Sequence, residues 1–294
     1  MSLNQALKEI NSELEGHLGV SAKYLKDGRE AEVNGSMLFP TASVFKVPLL
    51  IEMYRQIEQG KIDLNEMVIL KEGHKVPGSG ILKELGEGLS VSVSDLSTLM
   101  MIVSDNTATD ILLEKVGKDN VNKMLDEFGF KKTRVVVDCR DILFDLVGLN
   151  DLPDERKTLK LYNQTALARI EAKGSWSLGT DRNNVTTPIE MTRLLELIVK
   201  NEAASVDSCN AILDTMSKCQ TGQYRIPKYL PSRNVKIIHK TGSLPGIRND
   251  VGIVSRVDDA EGYIISCFTK NAGDVYSAEE AIAKASLQVF ERMP

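Results

Sequence analysis

The order in which helical and strand-like patterns follow one another is the strongest constraint on the fold of this chain. An opening segment with apolar residues at helical spacing is followed by two strand-like stretches around the turn pair Asp27-Gly28. Residues 41–218 then show mostly helical patterns. Three strand-like stretches and a last helix, which we expect to start at the capping box Ser277-x-x-Glu280, close the chain.

Strands at both ends of the chain need partners, because a lone pair of strands is only marginally stable in water. The economical fold is of the α/β (α+β) class, a five-stranded antiparallel sheet flanked by the terminal helices, with an inserted all-helical subdomain on its other face. We therefore predict an α/β subdomain, residues 1–40 plus 219–294, and a helical subdomain, residues 41–218. The active-site cleft is expected between them.

Composition excludes several classes of function. The net charge of -5 has the wrong sign for a nucleic-acid-binding protein. No apolar run approaches the roughly 20 residues that a membrane-spanning helix needs. No charged-then-apolar leader opens the chain, so no signal peptide is visible. The compartment and the oligomeric state stay open.

Cysteine and histidine spacing indicates neither a metal site nor a disulfide scaffold, and we expect no cofactor. The four cysteines contain no CxxC pair and the three histidines are scattered. We expect the cysteines to be buried free thiols. They are Cys139, Cys209, Cys219 and Cys267.

The stretch "FPTASVFKVPLL", residues 39–50, places a serine and a lysine three positions apart at the start of an apolar helix. Such residues share one helix face, so Ser43 and Lys46 should project side by side. A desolvated lysine can take the proton of a serine and make it a nucleophile. On its own, this pair is more often a solvated serine beside a lysine whose head reaches water.

Two further short strings change that balance. "SDN", residues 104–106, lies between two helical segments and can aim a hydroxyl and an amide into a cleft. Taken alone, this string is more typical of a helix N-cap. "KTG", residues 240–242, ends a strand, where a cation, a hydroxyl and a glycine suit a carboxylate-bearing substrate. The alternative interpretation of "KTG" is the end of a strand, followed by a polar turn, with no role in binding.

Together these motifs resemble the SxxK, SDN and KTG set of the class A β-lactamases and penicillin-binding proteins. Each motif occurs once, in the family's order, although the interval between the second and the third is longer than usual. The resemblance covers nearly the whole chain and implies a helical domain inserted into an α/β domain. It also implies acyl transfer through a serine, on a β-lactam or a D-alanyl-D-alanine-type peptide. Family members are usually exported.

The resemblance implies a catalytic role for four residues. Ser43 matches the acylated nucleophile, and Lys46 matches the lysine that helps to activate it. Ser104 matches the residue that passes a proton to the leaving nitrogen. Lys240 matches a cation that attracts the substrate carboxylate, with Thr241 beside it.

The resemblance also implies a substrate-binding set. Asn106 matches the residue that binds the acyl-side amide of the substrate. Gly242 allows close approach of a backbone, and the N–H groups of Ser243 and Ser43 match the oxyanion hole. Arg248, in "GIRNDVGIV", matches the position at which several class A enzymes carry a second carboxylate-binding cation. Taken alone, it is more typical of a surface arginine on an edge strand.

One family feature is missing. Class A enzymes carry a loop glutamate, usually in an ExxLN string, which holds the water that hydrolyses the acyl-enzyme. The segment between Val137 and Thr186 lacks that string, and "LVGLN" places Leu146 where the glutamate belongs. The sequence leaves open whether another acid of this segment serves as the base. These acids are Asp138, Asp141, Asp145, Asp151, Asp154, Glu155 and Glu171.

The sequence therefore predicts a serine hydrolase that opens β-lactams through an acyl-enzyme on Ser43, with slow deacylation. One alternative is a D-alanyl-D-alanine carboxypeptidase or an esterase that uses the same residues. The other is a penicillin-binding sensor or trap that does not turn over.

Overall fold

A computed structural model of the chain describes residues 1–167, 182–256 and 259–292. Most of the helices lie in the long central block that the sequence predicted to be helical. The helices are α1 Leu3–Glu13, α2 Lys46–Glu58, α3 Val93–Ile102, α4 Asn106–Val116, α5 Lys118–Glu127, α6 Cys139–Leu146, α7 Leu159–Ala166, α8 Pro188–Val199, α9 Val206–Ser217 and α10 Val275–Arg292. The loop acid Glu171 lies outside the described residues.

The strands form one large sheet and two small ones. They are β1 His17–Tyr24, β2 Glu30–Val33, β3 Phe39–Pro40, β4 Met67–Ile69, β5 Ser90–Ser92, β6 Val185–Thr186, β7 Val235–Leu244, β8 Ile247–Arg256 and β9 Asp259–Lys270. The large sheet has the order β2-β1-β9-β8-β7, and every neighbouring pair is antiparallel. The predicted five-stranded sheet, built from both ends of the chain, is confirmed.

Two apolar layers cover the large sheet. The terminal helices α1 and α10 pack on one face, where Leu7 and Ile282 are fully buried against Ile265 of β9. The central helices form the second core, which includes the sheet residues Ile264 and Phe268. The alternation along β9 thus sends successive side chains to opposite layers, as expected for a strand that is buried on both sides.

Helix α8 shows how the helical block attaches to the sheet. Thr187 caps this helix by accepting the Glu190 N–H at 3.1 Å. Thr192 Oγ1 then donates to Ser21 O at 3.1 Å, and it lies 2.9 Å from Ser266 Oγ. The helix belongs to the predicted subdomain 41–218 and yet packs directly on β1 and β9, so that domain division stays a prediction.

The last helix starts earlier than predicted. It begins at Val275, before the predicted capping box, and Asp274 Oδ1 accepts the Ser277 N–H at 2.9 Å. Within the described ranges, no helix is long and apolar enough to cross a membrane.

Candidate active site

Ser43 lies in a short 3₁₀ turn, Ala42–Phe45, that leads directly into α2. Residues three apart eclipse one another in a 3₁₀ turn, so Ser43 and Lys46 face the same side, as predicted. Ala42 carries a positive φ of 43°, and the amide of Asn249 holds the preceding carbonyls, donating to Thr41 O at 2.9 Å. Strained backbone that its surroundings hold in place is typical of functional sites.

Lys46 is fully buried and donates three hydrogen bonds. Its Nζ lies 2.9 Å from Ser104 O, 3.1 Å from Ser104 Oγ and 2.9 Å from Asn106 Oδ1. Burial lowers the pKa of Lys46 below its ordinary value of 10.5. The first and second motifs therefore meet at one ammonium group, which is less basic than an exposed lysine.

Lys240 reaches the same hydroxyl from the middle of β7, because the strand continues through the KTG string to Leu244 and does not end there as predicted. Its Nζ donates to Ser104 Oγ at 3.0 Å and to Thr241 O at 2.8 Å. The side chain is fully buried. Burial, followed by the positive charge of Lys46, lowers the pKa of Lys240 to about 7. Ser104 thus connects the two lysines.

The second motif is held in shape by its central aspartate. Asp105 caps α4 by accepting the Ala108 N–H at 2.9 Å, and it also accepts the N–H groups of Ile81 and Leu82. Ser104 itself has a positive φ of 56°. The predicted N-cap alternative is therefore true of Asp105, and the same turn brings Ser104 and Asn106 against Lys46.

Gly242 brings β7 against the Ser43 segment. A Cβ atom at this position would stand 2.5 Å from Thr41 O and 3.1 Å from the Ser43 amide nitrogen. No side chain fits there, so the third motif needs its glycine for close backbone approach. Ser243, the next residue along β7, lines the same cavity as Ser43.

A cavity of about 170 Å³ joins these elements. One side is polar, and the other is an apolar wall from α6. The lining residues are Ala42, Ser43, Phe45, Gly78, Ser79, Asn106, Cys139, Ile142, Leu143, Leu146, Ser243, Leu244 and Pro245.

Two arginines lie beside Ser243 of β7, and only Arg248 was predicted from the sequence. Arg248 faces Ser243 across the β7–β8 ladder, and its Nη1 donates to the carbonyls of Leu244 and Ile247 at 2.8 and 2.7 Å. Arg225 donates from Nη2 to Ser243 Oγ at 2.6 Å. No local motif marks Arg225, because its place beside the third motif depends on tertiary contacts.

Comparison with known proteins decides the family. The model of the β-lactamase enzyme family matches residues 2–293. This chain belongs to the β-lactamase enzyme family.

Individual relatives are distant. β-Lactamase PSE-4 of Pseudomonas aeruginosa is 32% identical over 135 residues, which cover 45% of this chain and 46% of the relative, so the chain spans about half of that protein's length. The β-lactamase of Sphaerobacter thermophilus superposes with a TM-score of 0.80 and 27% identity, over 99% of this chain and 96% of that one. A mutant of PBP-A was solved as an acyl-enzyme complex with penicillin G. It superposes with a TM-score of 0.79 and 22% identity, over 99% of this chain and 95% of that one. This likeness shows that the two proteins share a fold.

The segment that lacks the expected loop glutamate begins with α6. Asp110 of α4 accepts the N–H groups of Cys139 and Arg140 at 2.8 and 2.9 Å, which fixes the start of α6. The Cys139 side chain is buried and lines the Ser43 cavity. Burial, followed by the charge of Asp110, raises the pKa of the Cys139 thiol well above its ordinary value. Leu146 lies further along the same wall.

None of the acids proposed from this segment lines the Ser43 cavity, as far as the described residues show. Asp138 caps α6 by accepting the Asp141 N–H at 2.8 Å. Asp141 is ion-paired with Lys157, and together with Asp145 it lines a separate cavity of about 250 Å³. The remaining described acids are exposed: Asp151, Asp154 and Glu155.

Proposed function

We propose that this protein is a serine acyl-transfer hydrolase that opens β-lactams through an acyl-enzyme on Ser43 and releases the product slowly. The observation that carries the proposal is the convergence of Lys46 and Lys240 on Ser104 Oγ, next to a serine in a strained turn. Among the described residues, neither lysine has a carboxylate as a hydrogen-bond partner, which suits proton transfer better than structural ion pairing.

Acylation follows from this arrangement. A neutral Lys46 accepts the proton of the Ser43 hydroxyl, and Ser43 Oγ attacks the lactam carbonyl carbon. When the C–N bond breaks, Ser104 donates its proton to the leaving nitrogen. Ser104 is then reprotonated by the lysine ammonium groups that already bond to its oxygen.

The negative charge that develops on the carbonyl oxygen needs two donors. The close contact of Gly242 with the Ser43 segment supports the assignment of these donors to the N–H groups of Ser43 and Ser243. Each such donor typically accounts for about 100- to 1,000-fold in rate. Asn106, held between Lys46 and the Pro77 carbonyl, presents its amide on the opposite side for the acyl-side amide of the substrate.

Deacylation requires a base that holds water against the ester. We infer that no base among the described residues takes the place of the family's glutamate, because the α6 residues that line the Ser43 cavity are the Cys139 thiol and apolar side chains such as Leu146. With its raised pKa, the thiol stays protonated near neutral pH and is a poor base. The nearby side chains of Ile142, Leu143 and Leu146 offer a water no hydrogen bonds.

A penicillin is the first substrate to test, because the PBP-A mutant of the same fold carries penicillin G as an acyl-enzyme. Lys240 and Thr241, with Arg248 nearby, would meet the carboxylate of the substrate. A D-alanyl-D-alanine-type peptide would use the same groups. The absence of a base from the cleft, among the described residues, also fits a sensor or trap that stays acylated.

The intact mass of the protein during incubation with penicillin G tests the proposal. We expect one penicillin per chain within the mixing time and a slow return to the free mass. Ser43→Ala should form no adduct, whereas the exposed control Ser12→Ala should behave as the parent does. Rapid loss of the adduct would contradict slow deacylation, and a permanent adduct would favour the trap. An unmodified chain that cleaves a D-alanyl-D-alanine peptide would favour the peptidase.

A further inference from the structure

Cys219 lies against a histidine–aspartate pair that the acylation chemistry does not use. The other three cysteines are buried, whereas Cys219 is partly exposed in the loop after α9, contrary to our expectation for all four. His239 of β7 and Asp250 of β8 form this pair, and the loop that carries Cys219 packs on both, since a Cβ atom at Gly222 would stand 3.6 Å from His239 Cε1 and from Asp250 Oδ2.

Asp250 holds the imidazole in place. His239 Nδ1 lies 2.9 Å from Asp250 Oδ1, and the other oxygen of Asp250 accepts the Ile226 N–H at 3.1 Å. Burial alone would lower the pKa of His239. The charge of the fully buried Asp250 carboxylate and its hydrogen bond to the ring have the larger combined effect, and the pKa is raised to about 10. The ring is therefore an imidazolium near neutral pH.

The imidazolium acts on the thiol. Burial would raise the pKa of Cys219, but the hydrogen bond from His239 and the positive charges of His239 and Lys240 lower it to about 7. The charged groups that face the sulfur are thus two cations from β7 and, behind them, the carboxylate of Asp250. About half of the thiol is ionised at neutral pH, against a few per cent for an ordinary cysteine.

We propose that Cys219, His239 and Asp250 form a reactive-thiol site that exchanges with small-molecule disulfides. The Cys219 thiolate attacks one sulfur of the disulfide and forms a new S–S bond to it. The original S–S bond breaks, and the second sulfur leaves as a thiolate with the bonding electrons. Cys219 becomes a mixed disulfide, which a dithiol reverses.

The same site is linked to the third motif. Cys219 Sγ lies 3.4 Å from Thr221 Oγ1, which lies 2.6 Å from Thr241 Oγ1. The loop is packed tightly on that threonine, since a Cβ atom at Gly222 would stand 2.4 Å from Thr241 Cγ2. A group added to Cys219 must displace this loop and therefore the Thr241 hydroxyl. This second part, inhibition of Ser43 acylation, rests on the proposed function.

Labelling with 5,5′-dithiobis(2-nitrobenzoate) tests the reactive thiol without any β-lactam. The labelling rate of the folded parent should rise with pH to half of its plateau near pH 7, whereas an ordinary thiol reaches half near about pH 8.5. Cys219→Ser should lose the fast phase, and the control Cys209→Ser should keep it. His239→Asn should move the pH midpoint of labelling upward. If this variant does not fold, the pH profile of the parent alone is the test.

Two results would overturn the reactive-thiol site: a midpoint at or above about pH 8.5, or a fast phase that survives in Cys219→Ser. The link to Thr241 is tested on protein labelled at Cys219. Its acylation by penicillin G should slow at least several-fold and recover with dithiothreitol, and unchanged acylation would refute the link. If the unlabelled parent forms no adduct at all, the proposed function fails while the labelling result stands.

Discussion

Lys46 and Lys240 direct their ammonium groups at one oxygen atom, Ser104 Oγ, from 3.1 and 3.0 Å. Both side chains are fully buried. Two unit charges about 5 Å apart repel by about 3 kcal/mol at an effective dielectric constant of about 20, so this repulsion and burial together favour the neutral form of one lysine. We propose that this lysine is the base of acylation and that the hydroxyl between the two lysines relays the proton.

Replacing Lys46 tests whether it is a base. Lys46→Met should slow acylation by penicillin G on the order of 100- to 10,000-fold, because a general base contributes about that much. The thermal transition should remain cooperative, which circular dichroism will show. Lys8→Met, at an exposed position on α1, is the matched control. Acylation at nearly the parental rate would mean that Lys46 is structural.

The pH profile of acylation tests the same residue differently. Because burial lowers the pKa of Lys46 from 10.5, its neutral form gains population at lower pH than that of an exposed lysine. Acylation should therefore rise with pH and reach its plateau below pH 10.5. Lys46→Met should lack this rising limb. A parental rate that still climbs above pH 10.5 would show that the lysine is not perturbed in the cleft.

Gly242 should tolerate no side chain. Gly242→Ala places a Cβ atom 2.5 Å from Thr41 O, so β7 must move away from the Ser43 amide. We expect acylation to fall at least tenfold and stability to drop by about 1–3 kcal/mol, as in overpacked cores. Gly86→Ala is the control, since a Cβ atom there meets nothing within 4 Å. Parental acylation in Gly242→Ala would remove the close-approach argument.

The Arg248 guanidinium donates to the carbonyls of Leu244 and Ile247, and we propose that it also attracts the carboxylate of the substrate. Esterifying the carboxylate of a penicillin should slow acylation of the parent. Arg248→Ala should erase most of the difference between acid and ester, while exposed Arg29→Ala should preserve it. Equal rates for acid and ester in the parent would exclude a carboxylate subsite altogether.

The fold and most of the site could be predicted because their signals are local. Strand patterns at both ends of the chain imply a shared sheet, and each motif places its residues within three or four positions. Ser104, with its positive φ, needed the structure, since the SDN string also makes an ordinary N-cap through Asp105.

Arg225 and Cys139 could not be found in the sequence. Arg225 reaches β7 only through a tertiary contact with Ser243 Oγ. Cys139 faces the cleft because Asp110, 29 residues earlier, accepts its N–H. The Leu-Asn string just after α6 suggested Leu146 as the residue in the place of the glutamate. In the structure Cys139 and Leu146 both line the Ser43 cavity, and neither side chain is a carboxylate.

The steady rate that follows acylation decides between a slow hydrolase and an efficient β-lactamase. Stopped-flow mixing with a chromogenic cephalosporin should give a burst equal to the enzyme concentration, followed by a low steady rate. Cys139→Glu should raise that steady rate at least tenfold by supplying a carboxylate in the Ser43 cavity. The isosteric control Cys139→Gln, which cannot accept a proton, should not. Burst-free, efficient hydrolysis by the parent, abolished by alanine at a loop acid such as Asp141 or Glu155, would contradict this account.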